Sequence, residues 1–96
     1  MKAYLVLDFS VHDFPGFMPY VSEIPALITR HCGRYIVRGD PPTVIEGDWA
    51  PERMVILEFP SRDAAQAFLA DPDAQPLFQL RHRTTNSKLV LVDGCE

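Results

Sequence analysis

Three of the four segments of this chain that read as β-strands are apolar on both sides, and this limits the fold more than any other feature. In residues 52–59 (ERMVILEF), Val55, Leu57 and Phe59 share one face, with Met54 and Ile56 on the other. Residues 88–93 (KLVLVD) set Leu89 and Leu91 opposite Val90 and Val92. Residues 2–9 (KAYLVLDF) set Ala3, Leu5, Leu7 and Phe9 opposite Tyr4, Val6 and Asp8. An antiparallel sheet with helices on one side alternates apolar and polar residues. These strands need cover on both faces.

The helices available can cover only one. Phe17, Val21, Ile24, Leu27, Ile28 and His31 recur at helical spacing. Asp13 is placed to cap that helix, and Pro15 and Pro19 are read as first-turn prolines. Pro25 falls within it and predicts a kink rather than a break, because the apolar stripe stays in phase. Gly33 is read as the residue just past its end. Residues 34–39 (RYIVRG) form a second strand, which Thr43–Glu46 would continue past a bulge, and residues 47–51 a turn. Ser61 caps a helix over 62–70, with Ala64, Ala65, Phe68 and Leu69 inward. Asp71-Pro72 ends it, and a short helix over 73–83 carries Leu77, Phe78 and Leu80.

The order β-α-β-β-α-β predicts an α+β, ferredoxin-like fold: one domain over residues 1–96, with a four-stranded antiparallel sheet ordered 4-1-3-2. With 96 residues, no spare element remains for the second sheet face. A second copy of the chain is the economical cover, so a homodimer through the sheet faces is expected.

Charge and composition narrow the function classes. Thirteen acidic residues against nine Lys and Arg give a net charge of −4. Nucleic-acid binding by phosphate neutralisation favours a basic chain, and an RNA-binding sheet needs exposed aromatics where this one has aliphatics. No apolar run approaches the ~20 residues of a membrane span. The first apolar stretch, Ala3–Leu7, is too short for a signal-peptide core, so a cytoplasmic location is expected. The three His are not at metal-binding spacing, the two Cys form no disulfide framework, and no nucleotide fingerprint occurs.

Several blocks resemble the domain-of-unknown-function 1330 family. Cys32–Gly39 is similar to its GGR-aromatic-x-VRGG block, and Val44–Arg53 to its EG-x-W-x-PER block. Glu58–Ser61 is similar to EFPS, and Leu91–Gly94 to LVDG. The blocks span essentially the whole chain, in order. The resemblance implies a dimeric α+β barrel, in which two ferredoxin-like sheets pack face to face. Pockets then lie between each sheet and its helices or inside the barrel. Relatives of that family include cofactor-independent monooxygenases, isomerases, haem-degrading enzymes and stress-response proteins. Two departures stand out. Cys32 replaces the first glycine of the GG pair, and Asp71–Gln75 stands where the family has SPEYQ, without its Glu-Tyr pair.

Strand alternation puts Arg34, Ile36 and Arg38 on one face of the second strand. A guanidinium inside an apolar strand needs a carboxylate or a bound anion, and Asp8 and Glu58 are the obvious partners. An Asp8–Arg38–Glu58 cluster reads either as a structural ion network or as an acid–base site in which the guanidinium holds a substrate carboxylate or enolate. His31 reads as a core histidine or, facing a cavity, as a general base beside Asp8 and Glu58. Arg34, Arg38, Arg81 and Trp49 are the candidate ligand-binding residues. Arg81 matches an Arg usual in the family's third helix, yet within Arg81-His82-Arg83 a solvated surface is the plainer reading. Trp49 reads as a loop anchor or as a plug into a partner subunit. Tyr4, Tyr20 and Tyr35 read as core edges with a polar tip, His12 as solvated, and Cys32 as a small buried hydrophobe. The function these residues suggest is binding or transformation of a small anionic or enolisable molecule, with no metal or tightly bound cofactor. A non-catalytic binding or stress-related dimeric module is the alternative.

Overall fold

Strand β1 (Ala3–Val11) lies inside the sheet, hydrogen-bonded antiparallel to β3 (Arg53–Phe59) on one side and to β4 (Thr85–Asp93) on the other. Strand β2 (Arg34–Asp40) pairs with β3 at the edge, so the order is β2-β3-β1-β4, the ferredoxin-like arrangement. The computed structural model describes residues 1–95. Helices α1 (Phe14–Arg30), α2 (Arg62–Ala70) and α3 (Gln75–Thr84) complete the fold.

The core forms where the inner strand positions meet the helices. Leu5, Leu57 and Phe59 from the sheet pack with Ile24 and Ile28 of α1, Phe68 of α2 and Phe78 of α3. Asp13 caps α1, its carboxylate accepting from the Gly16 N–H at 3.0 Å, and Ser61 caps α2 through the Ala64 N–H at 3.1 Å. Helix α1 runs unbroken through both Pro19 and Pro25, and Pro19 lies beyond the first turn. Among the described residues no helix is long and apolar enough to cross a membrane.

Four local readings are corrected. Residues 43–46 do not extend β2; they belong to the β2–β3 loop. Strand β4 begins at Thr85, directly after α3, because β1 runs on to Val11 and pairs with it. The residue past the end of α1 with left-handed backbone is Cys32 (φ 63°), not Gly33, and Cys32 is exposed. The Cys32 N–H bonds the Thr29 carbonyl and the Gly33 N–H that of Ile28, each at 2.9 Å, which is a Schellman closure with Cys32 at its strained position. Gly33 is required for a different reason: a Cβ there would sit 2.6 Å from the Phe59 ring.

The opposite sheet face has no helix over it. Val90 and Val92 there are 58% and 50% exposed, beside Val6, Met54 and Ile56.

Candidate functional site

Between the inner sheet face and the helices lies a cavity of about 290 Å³. Its walls are largely aliphatic and aromatic, from all four strands, α1, the C-terminal end of α2 and the middle of α3. The polar side chains lining it are Tyr20, Tyr35, Arg38, Arg53 and Arg81, with no Asp, Glu or His among the described residues.

Arg81 is the chemically distinctive member. Helix α3 buries Leu77, Phe78, Arg81 and Thr84 along one side, so the guanidinium is carried inward with the apolar stripe and is only 5% exposed. Its Nη1 donates to Tyr20 Oη at 3.1 Å, and its Nη2 lies 3.3 Å from His82 Nε2. The guanidinium also rests near the Tyr20 and Phe78 rings, 5.6 and 5.3 Å from their centroids. Its Nε has no hydrogen-bond partner, and no carboxylate pairs with it among the described residues. A buried charge left so is costly unless something else compensates it.

Arg38 enters the same cavity because β2 bulges. Tyr35 pairs with Leu57 and Val37 with Ile56, leaving Ile36 as an extra residue, and Arg38 then falls opposite Val55. The bulge reverses the in–out alternation. Arg34 and Arg38 therefore occupy opposite faces, which corrects the shared face expected from strict alternation. Arg38 is exposed at the rim, its Cζ 4.3 Å from the centre of the Tyr35 ring. Burial pushes the Tyr35 phenol above its ordinary value, with Arg38 opposing. Arg53, also exposed, lies 5.3 Å from the Phe14 ring centre.

The expected Asp8–Arg38–Glu58 cluster does not form. Glu58 pairs with Tyr4 in the register, four residues before Asp8, or ~13 Å along the strand. The cause is the antiparallel pairing, which sends the C-terminal ends of β1 and β3 to opposite ends of the sheet. Glu58 lies on the outer face, where Tyr4 Oη donates to it at 3.1 Å, Arg34 Nε at 2.9 Å, and Lys2 Nζ lies 3.5 Å away. The Arg34 hydrogen bond holds its carboxyl below the usual range, against the opposing effect of burial. Asp8 accepts from the Trp49 indole N–H at 2.8 Å, which anchors the β2–β3 loop to the sheet.

His31 does not line the cavity. It ends α1, with Nε2 2.8 Å from Asp71 Oδ2, while Arg30 Nη1 reaches Asp71 at 3.1 Å and Asp73 at 2.9 Å. The His31 contact, the Asp73 N–H and Arg30 together hold the Asp71 carboxyl below its ordinary value. Of the residues singled out from sequence, the structure brings Arg38 and Arg81 to the cavity and sends Asp8, His31, Arg34, Trp49 and Glu58 elsewhere. As site residues, Tyr20, Tyr35 and Arg53 were missed. The spacing of Leu77, Phe78, Arg81 and Thr84 carried the signal for Arg81: it stands one turn on from the apolar pair. Among the described residues, no three His, Cys, Asp or Glu side chains converge as metal ligands would.

The model of the family described as a domain of unknown function (DUF1330) matches residues 2–95. The chain belongs to the DUF1330 family. No functionally curated protein matches the sequence. Among solved structures, this DUF1330 chain is similar to a protein of unknown function from Rhodopseudomonas palustris. That match has 15% identity and a TM-score of 0.80, covering 99% of this chain and 83% of that one. It is similar to SnoaB, a cofactor-independent oxygenase from Streptomyces nogalater, at 23% identity and a TM-score of 0.70, covering 99% and 94%. A dimeric ferredoxin-like protein of unknown function from Jannaschia sp. matches at 11% identity and a TM-score of 0.74, covering 98% and 100%. These likenesses carry the fold.

Proposed function

We propose that this DUF1330 chain binds a small anionic molecule in the sheet–helix cavity, on Arg81, without a tightly bound cofactor. The observation that carries the reading is the buried Arg81 guanidinium, which lines a cavity that no acidic side chain lines among the described residues. An anion would supply the missing countercharge. Arg38 and Arg53 at the rim add positive potential on the approach.

The apolar outer sheet face supports a homodimer built through the sheets. The Jannaschia relative, described as dimeric, has the same fold. Light scattering should give about twice the 10.9 kDa chain mass, and a stably folded monomer would sink the dimer.

A second reading is transformation of an enolisable ligand, and the Tyr35–Arg38 pair favours it. A phenol kept protonated by burial can donate to an enolate oxygen that a guanidinium also stabilises. The likeness to a cofactor-independent oxygenase points the same way. Against it, no described residue of the lining offers a carboxylate or imidazole to take the substrate proton, so binding is the better-supported reading.

The test is direct. Adding acetate or inorganic phosphate should move the Arg81 Nε–H resonance in a nitrogen-15 spectrum. The Arg34 Nε–H, already bonded to Glu58, should stay in place. An unmoved Arg81 signal with both anions, raised until even a weak site would fill, would remove the reading.

A further inference from the structure

The cavity differs sharply from one end to the other. Its buried charge is on α3. At its mouth, Phe14, Met18 and Val21 on α1 line it while being 49%, 52% and 40% exposed. They stand at i, i+4 and i+7, one stripe of a helix, so an apolar runway leads from solvent to a buried cation.

Resting on the anion-site reading above, we infer that the occupant is a hydrophobic monocarboxylic acid. Its carboxylate lies inward on Arg81 and Tyr20, and its apolar end lies against Phe14, Met18 and Val21.

The head group follows from the donors left over. Tyr20 Oη accepts from Arg81 Nη1, so its own hydroxyl hydrogen is free to donate. The two Arg81 η nitrogens, one bonded to Tyr20 and one beside His82, each carry a second N–H, and the planar guanidinium suits the two oxygens of a carboxylate. One buried guanidinium is neutralised by one negative charge. A phosphate dianion would bring a second charge into an apolar place with no second buried cation. Arg38 and Arg53 do not serve as that cation, since both are exposed and lie over Tyr35 and Phe14.

The body follows from volume and lining. A cavity of about 290 Å³ equals the liquid volume of roughly ten waters, enough for a short alkyl chain or a single ring. A small polar acid would leave the walls unused and the exposed stripe on α1 still wet. An acid with an apolar end covers that stripe, removing apolar surface from water at the mouth as well as inside.

The wild-type chain is titrated near neutral pH with octanoate, 1-octanol, acetate and inorganic phosphate, following backbone amide shifts. Octanoate should bind at least tenfold more tightly than octanol or acetate, with the largest shifts on α1 and α3. Tyr20→Phe should weaken octanoate several-fold and leave octanol unchanged. Arg81→Met should erase the preference for octanoate over octanol. Equal affinity for acetate and octanoate would overturn the hydrophobic-acid inference while the anion site stood. Phosphate binding at Arg81 without octanoate binding would do the same. Equal affinity for octanol and octanoate would overturn both, because the charge would then play no part, and no saturable octanoate shift would overturn the inference outright.

Discussion

Two of the places where this molecule takes ionisable groups out of water are built on opposite principles. At the junction of α1 with the α2–α3 turn, Asp71 is buried with every nearby charge answered. His31 and Arg30 meet one carboxylate oxygen, and the Asp73 N–H meets the other at 2.9 Å. In the cavity, Arg81 is buried with one nitrogen unanswered and no acid opposite. A satisfied cluster earns its place by holding the fold together, whereas an unsatisfied charge in a cavity adds little to the fold and much to a ligand. The difference separates structural ions from binding ions more reliably than residue type does, since both places contain an Arg beside a His.

That contrast can be broken by substitution. The largest expected effect is at the satisfied site: Asp71→Ala should lower the melting temperature by roughly 10 °C or more, because Arg30 and His31 lose their shared acceptor together. An unchanged melt would show the cluster to be ornamental.

Next comes acid sensitivity. Asp71 and Glu58 both have carboxyls held below the ordinary range in the folded chain. Their contribution is therefore complete above the unfolded value of about 4 and is lost as pH falls through the lower folded values. Melts from about pH 6 down to about pH 2 should fall along that limb, and Asp71→Asn with Glu58→Gln should flatten it. A limb of the same steepness in the double variant would contradict the assignment.

A smaller gain is expected beside the Asp71 cluster. Cys32 holds a left-handed backbone (φ 63°) that costs an L-residue about 1–2 kcal/mol. Glycine gives back part of that through the unfolded chain. Cys32→Gly should stabilise by about 1 kcal/mol, seen as a melting temperature a few degrees higher. The smallest effect is at the cavity rim. Arg38→Met should change stability by no more than about 0.5 kcal/mol, as for exposed positions generally. A sharp loss would mean Arg38 has a structural partner after all.

The strand order, the caps at Asp13 and Ser61 and the inner faces of β1 and β3 could all be read from period and capping chemistry. Those signals are local and repeat along the chain. The site was less legible, for two specific reasons. The bulge at Ile36 reverses the in–out sense of β2 midway, and nothing in Tyr35-Ile36-Val37 announces an extra residue. Charge type then misled at α3. Arg81-His82-Arg83 looks like a wet surface, yet helical geometry turns only the first inward. The failure of the Asp8–Glu58 pairing was, by contrast, available from the strand order alone, because antiparallel neighbours cannot bring their C-terminal ends together.

The central claim is that Arg81 is kept for a ligand, with little net benefit to the empty fold. It is tested most directly by thermal melts of the wild type and Arg81→Met, each with and without saturating octanoate. Replacing buried charged groups by well-packed apolar side chains of similar volume is often neutral or stabilising. Without octanoate the variant should therefore melt no lower than the wild type. A ligand that binds only the native state raises the melting temperature by mass action, so octanoate should raise that of the wild type alone. A variant that melts well below the wild type, or one that octanoate stabilises just as much, would contradict the account.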